Sequence, residues 1–151
     1  MALKMTFENG KAFLQGTLDE NSKLEEIFSQ FAGDVHINMK EVRSANSVGL
    51  RTWIFLLSEY TVRNKVQIEC VTYPMAVQSR MVLNFFANAK VTSTMAPYYC
   101  SGCEQERLVE IGTSQLGKPN TAPEAKCSEC SKVMDFDELP EFFDVLRKHA
   151  G

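Results

Sequence analysis

The chain has no apolar run approaching the length needed to cross a bilayer; its richest stretch, Trp53 to Leu57, is short enough to be part of one helix. Its N-terminus, MALKMTFENG, lacks the extended apolar core and cleavage site of a secretory signal, so the expected compartment is the reducing cytoplasm. There is no Gly-rich phosphate loop of the Walker type, no internal repeat and no low-complexity tract. Histidine is scarce. His36 and His149 have no serine or cysteine partner in sequence, so no catalytic constellation assembles and the chain is not expected to be an enzyme. Neither sign of charge dominates: 16 Lys+Arg against 19 Asp+Glu leave a net charge of −3, which gives no global attraction for nucleic acid or an anionic membrane.

What is present is an ordinary soluble composition, 44% hydrophobic and 23% charged over 151 residues, suited to one domain or one domain with a small appendage. Met5–Phe7 and Ala12–Leu14 flank Asn9-Gly10, a strong hairpin signal. Ser22 with Glu25 reads as a capping box that opens a first helix, with Leu24, Ile27, Phe28 and Phe31 on its apolar face and Gly33 at its end. Val35, Ile37 and Met39 alternate as the buried face of a strand, followed by a short loop and a second helix from about Ser47 to Val62. Val66, Ile68 and Cys70 read as another strand, with Cys70 a buried thiol in mid-strand. Pro74 suits the first turn of a third helix whose apolar face carries Met81, Val82, Phe85 and Phe86. Strands separated by helices of this length imply crossovers and a largely parallel sheet, with the hairpin as an antiparallel edge: an α/β fold. After about Met95 come short strand-like pieces, a soft Gly112–Pro123 segment and a final helix with Leu139, Phe142, Phe143 and Leu146 on one side.

Two Cys-x-x-Cys pairs, Cys100/Cys103 and Cys127/Cys130, stand 23 residues apart. Two thiolates on one tight knuckle turn the same way, and two knuckles supply the four soft ligands of a closed structural zinc site. A piece of about 40 residues buries too little apolar surface to fold unaided. Thiolate-bound zinc contributes roughly 10–16 kcal/mol of apparent folding free energy in such modules. The alternatives are a redox dithiol, a catalytic zinc or free cysteines. A thioredoxin-like site would place a single pair at a helix start after a strand, and a catalytic zinc would keep an open position. The stretch from about Tyr98 to Asp135 resembles a zinc ribbon. Arg107, Lys118, Lys126 and Lys132 are outnumbered there by Glu104, Glu106, Glu110, Glu124, Glu129 and Asp135, so nucleic acid is not the expected partner.

The segment Val35–Leu57 reads as strand, loop, polar pair, glycine and apolar helix. Asn46 and Ser47 are both good N-caps, Gly49 allows close backbone approach, and capping alone would account for the polar pair. A phosphoryl group on Ser47 would sit at the positive end of the helix dipole. The segment resembles the STAS domain of anti-sigma-factor antagonists, in which a loop through valine leads to Asp-Ser-Ser/Ala-Gly-Leu at a helix start. Val42 matches the loop valine, Ser47 the phosphorylatable serine, Gly49-Leu50 the Gly-Leu, and Gly16-Thr17-Leu18-Asp19 the upstream Gly-x-Leu-Asp. Asn38 and Asn46 stand where the family has aspartates, and Val48 where it has a small residue.

The resemblance implies a STAS-like mixed β-sheet with helices over residues 1–95, followed by a small zinc-ribbon β module and C-terminal helix over 96–151. It implies a non-catalytic cytoplasmic signalling adaptor that binds a protein through Asn46, Ser47, Val48 and Gly49. The partner would be an anti-sigma-type kinase that phosphorylates Ser47, or, in an alternative role, the ATPase of a lipid-transport ABC system. A zinc or redox sensor based on the cysteines is a third reading. Tyr98, Tyr99, Phe136, Phe142 and Phe143 offer an aromatic surface for docking on the core or for self-association.

Overall fold

The computed structural model describes residues 2–150. A mixed sheet of five strands runs in the order β1 (Lys4–Glu8), β2 (Lys11–Leu18), β3 (Val35–Ala45), β4 (Val66–Glu69) and β5 (Lys90–Val91). The first pair is antiparallel, and β2 through β5 run parallel. Helices α1 (Leu24–Ser29), α2 (Ser47–Tyr60) and α3 (Tyr73–Met81) form the crossovers that parallel neighbours require. The chain is therefore α/β, with the hairpin as the antiparallel edge. Asn9 and Gly10 take φ of 51° and 78°, both positive, which is the turn geometry that favours this dipeptide.

The helices bury the stripes that their spacing implies. Leu24, Ile27 and Phe28 of α1, with Phe31 beyond it, meet Leu50, Trp53 and Leu57 of α2 over Ile37, Met39 and Ile68. Trp53 is fully buried, and its indole N–H donates to Phe85 O at 3.0 Å, so the ring enters the core without an orphaned donor.

Several local expectations change. Ser22 does not cap α1, whose N-cap is Lys23 with no side-chain bond. Its buried hydroxyl donates to Thr17 O at 2.8 Å and accepts the Asp19 N–H at 2.6 Å, closing the preceding turn instead. Helix α1 stops at Ser29, before Gly33. The loop expected through Val42 is strand: β3 runs to Ala45, with Val42 fully buried and Asn38 in mid-strand. Strand β2 pairs along that whole length and holds it extended. Cys70 lies just past β4, buried, with φ of 54°. Met81 is 75% exposed at the end of α3, while Phe85 and Phe86 enter the core from the loop after it. The two-residue strand β5 carries too little pattern to read from sequence.

A second, antiparallel sheet has the order β7 (Gln105–Gly112), β6 (Ser93–Cys100), β8 (Asp135–Phe136). Strand β6 is tied to the end of the first sheet, since the Val71 N–H donates to Ser93 O and the Met95 N–H to Val71 O. A short 3-10 turn, Pro140–Phe143, leads into α4 (Asp144–Lys148). Tyr98, Phe142 and Phe143 lie in the chain's own core, whereas Leu139 is 59% exposed. Phe136 contacts Tyr98, Phe142 and Phe143, and Phe142 reaches Tyr73 at the start of α3. The end of the chain is tied down as well: the Val91 N–H donates to His149 O at 2.7 Å, and the His149 ring meets Phe86. One buried cluster therefore runs from Leu3 to Leu146 through both sheets.

Candidate functional site

The four cysteines come together. Cys100 ends β6, Cys103 lies in the turn to β7, and Cys127 and Cys130 form a second knuckle closed by the Lys126–Val133 bridge. All four sulfurs lie within 4.8 Å of one another, with Cys100–Cys130 at 3.4 Å and Cys103–Cys127 at 3.8 Å. A tetrahedron with bonds of about 2.3 Å has edges of roughly 3.8 Å, so the spacing is that of a site for one metal ion.

The backbone is shaped to the same end. The Cys103 N–H points at Cys100 Sγ and the Glu129 N–H at Cys127 Sγ, each at 3.4 Å. Amides of Cys130 and Glu129 lower the Cys127 thiol. Cys103 goes the other way: Arg107 pulls its thiol down, but Cys130 and burial outweigh that and push it up to about 11. Gly102 leaves the gap that the second knuckle fills, since a Cβ there would lie 3.0 Å from Cys130 Sγ and 2.8 Å from the Lys132 chain. In sequence Arg107 is only one positive charge of the module. It lies beside Cys103 and Cys127, four residues beyond the first knuckle.

Cys70 stands apart from this cluster. Its Sγ is 3.3 Å from Glu110 Oε2, and burial together with that carboxylate pushes the thiol up to about 11, which suits an inert buried group.

The Ser47 turn is the second site. Asn46 caps α2, its Oδ1 accepting the Gly49 N–H at 2.9 Å, and its Nδ2 donates to Glu20 Oε2 at 2.6 Å. Asn46, Ser47 and Val48 are exposed, and Gly49 is buried. A Cβ on Gly49 would fall 2.1 Å from Leu18 O, so glycine alone lets the helix start this close to β2. Beside the turn, α2 and α3 enclose a groove of about 420 Å³ whose lining includes Ser47, Leu50, Ile54 and Val82, with Arg51 as its cation. Val48, Phe55, Met81 and Leu83 are exposed on the same two helices and the loop after α3. Sequence did not tie Glu20 or Val82 to this turn, because tertiary packing brings them there; Val82 reads only as part of the third helix's apolar face.

A third cluster also escaped sequence reading. Glu69 accepts from Lys11 Nζ at 3.0 Å and from Asn38 Nδ2 at 2.6 Å, and its Oε1 lies 2.6 Å from His36 Nε2. Burial raises the Glu69 carboxyl, but those two hydrogen bonds and the His36 charge outweigh it and hold the group below its ordinary 4.5. Asn38 is thus a partner within the sheet, away from the Ser47 turn.

No protein-family model matches the chain, and no curated protein or solved structure matches it. Among the described residues no helix is long and apolar enough to cross a membrane.

Proposed function

We propose that this chain is a non-catalytic adaptor of the STAS type, docking a protein partner on the first turn of α2 and the adjoining groove. A structural zinc ion on Cys100, Cys103, Cys127 and Cys130 braces its tail. The observation that carries the docking reading is an exposed Ser47-Val48 pair beside an apolar groove of about 420 Å³ at a helix start. The cap belongs to Asn46, so the Ser47 hydroxyl is free of structural duty at the helix end. Val48, 45% exposed, adds apolar area at the turn itself. Zinc follows from the donor set, since four thiolates in a tetrahedral arrangement with no open position favour a d¹⁰ ion held for structure.

Phosphorylation fits this turn as a switch. A phosphoryl group on Ser47 would bring about −1.5 to −2 charges to the amide end of α2. Arg51, one turn further along the groove, could pair with it, while Glu20 behind Asn46 would repel it. The docking surface would change sign without a change of fold.

The test is affinity purification of wild-type, Ser47→Ala and Ser47→Asp proteins from the native host, with intact-mass analysis. A kinase that co-purifies with the wild type and is lost with Ser47→Asp supports the switch. An ATPase and permease in its place would assign the chain to a transport assembly. Equal recovery of one partner by all three proteins would remove the switch.

A further inference from the structure

The cysteine cluster has one half-buried cation beside it to be explained. Arg107 follows Gln105 on β7, where Gln105 pairs with Cys100 and Arg107 with Tyr98, so Arg107 shares its strand face with the residue opposite the first ligand. Its Nε is buried and has no hydrogen-bond acceptor among the described residues. An orphaned buried donor on a charged group is costly, so its position calls for a partner. Its guanidinium lies against Cys103 and Cys127, one sulfur from each knuckle. Four thiolates around a divalent ion carry two more negative charges than the ion neutralises, and a nearby cation offsets that surplus. Glu104, Glu106 and Glu129 are exposed nearby in sequence and add to the surplus; the Lys132 chain passes beside Gly102 and Cys130, and Arg107 is the cation beside Cys103 and Cys127.

We propose that Arg107 is a positioning residue of the metal centre: its fork donates N–H bonds to the sulfurs of Cys103 and Cys127 and balances the charge of the loaded tetrathiolate. The inference rests on the metal reading above and adds a residue outside the ligand set. Arginine suits the place because its planar fork spans two acceptors, whereas a lysine would offer charge at a single point.

The experiment titrates the metal-free full chain with cobalt(II), then sets zinc against a chromophoric chelator, for wild type, Arg107→Gln and Arg107→Lys. The wild type should develop the charge-transfer and d–d absorption of a tetrahedral four-thiolate site. Arg107→Gln should bind on the order of 10–100-fold more weakly, as loss of an outer partner does in other metal sites. Its charge-transfer band should move to longer wavelength, because sulfurs stripped of N–H donors give up electrons more easily. Arg107→Lys should recover part of the affinity and less of the band position. The band is read from whatever fraction loads, so a variant that is merely less stable leaves it unmoved and counts against the proposal. Wild-type loading with unchanged affinity and band in Arg107→Gln overturns the role of Arg107 alone. A wild type that gives no thiolate–cobalt absorption overturns the metal reading, and this inference with it.

Discussion

Gly49 decides where α2 can begin. Its missing Cβ would lie 2.1 Å from Leu18 O and 2.5 Å from the Asp19 nitrogen, and both are backbone atoms that cannot swing aside. Helix and strand would have to separate, which would disturb the Asn46–Glu20 contact and the groove together. Gly49→Ala should therefore destabilise the chain by about 3 kcal/mol or more, at the upper end of overpacking costs. The check is the midpoint of urea unfolding. A loss below about 1 kcal/mol would mean that α2 tolerates the extra atom. The glycine and the serine two residues before it thus play different parts. One sets the backbone, and the other faces the solvent.

Among elements, β2, β3 and β4 are joined by side chains as well as by their ladder. Lys11 from β2 and His36 and Asn38 from β3 converge on Glu69 at the end of β4. The Glu69 carboxyl is lowered in the folded chain, so its contribution to stability is present above the ordinary value of 4.5 and is lost as pH falls through the lower, folded value. Glu69→Gln should flatten that part of the acid-unfolding profile while leaving β2 and β3 paired. Stability measured by denaturant at a series of pH values gives the test, and an unchanged acid limb would show that the cluster is not coupled to folding. The extension of β3 through Val42 has a related origin: β4 pairs only as far as Asn38, and β2 carries the ladder onward to Ala45.

Over the whole molecule, the cysteine knuckles and the head of α3 are linked by aromatic packing. Tyr98 lies two residues before Cys100 and contacts Phe136, which meets Phe142, which in turn meets Tyr73 at the head of α3. The Tyr73 hydroxyl also donates to Glu138, whose carboxyl is lowered by that bond. Because one buried cluster spans both sheets, thermal unfolding should be a single transition, and stripping a metal held by the four cysteines should lower its midpoint as a whole. Calorimetry with and without a chelator tests this. Two separated transitions, only one of them sensitive to the chelator, would show that the sheets fold independently.

The periodicity of apolar residues was enough to place α1, the first half of β3 and β4 and to pick Leu24, Ile27, Ile37 and Ile68 as core, because each repeats with the period of its own element. The four-cysteine cluster was legible for a similar reason: two residues between thiols is a local geometric requirement for sharing one ion. Sequence could not show that Ser22 would close a turn rather than cap a helix, since its hydroxyl serves either, and Thr17 O lies in reach only after the chain has turned. Nor could it bring Glu20 to Asn46, Glu69 to Asn38 or Arg107 to the sulfurs. These contacts join separate elements, and their distances exist only once sheet register and helix packing are set.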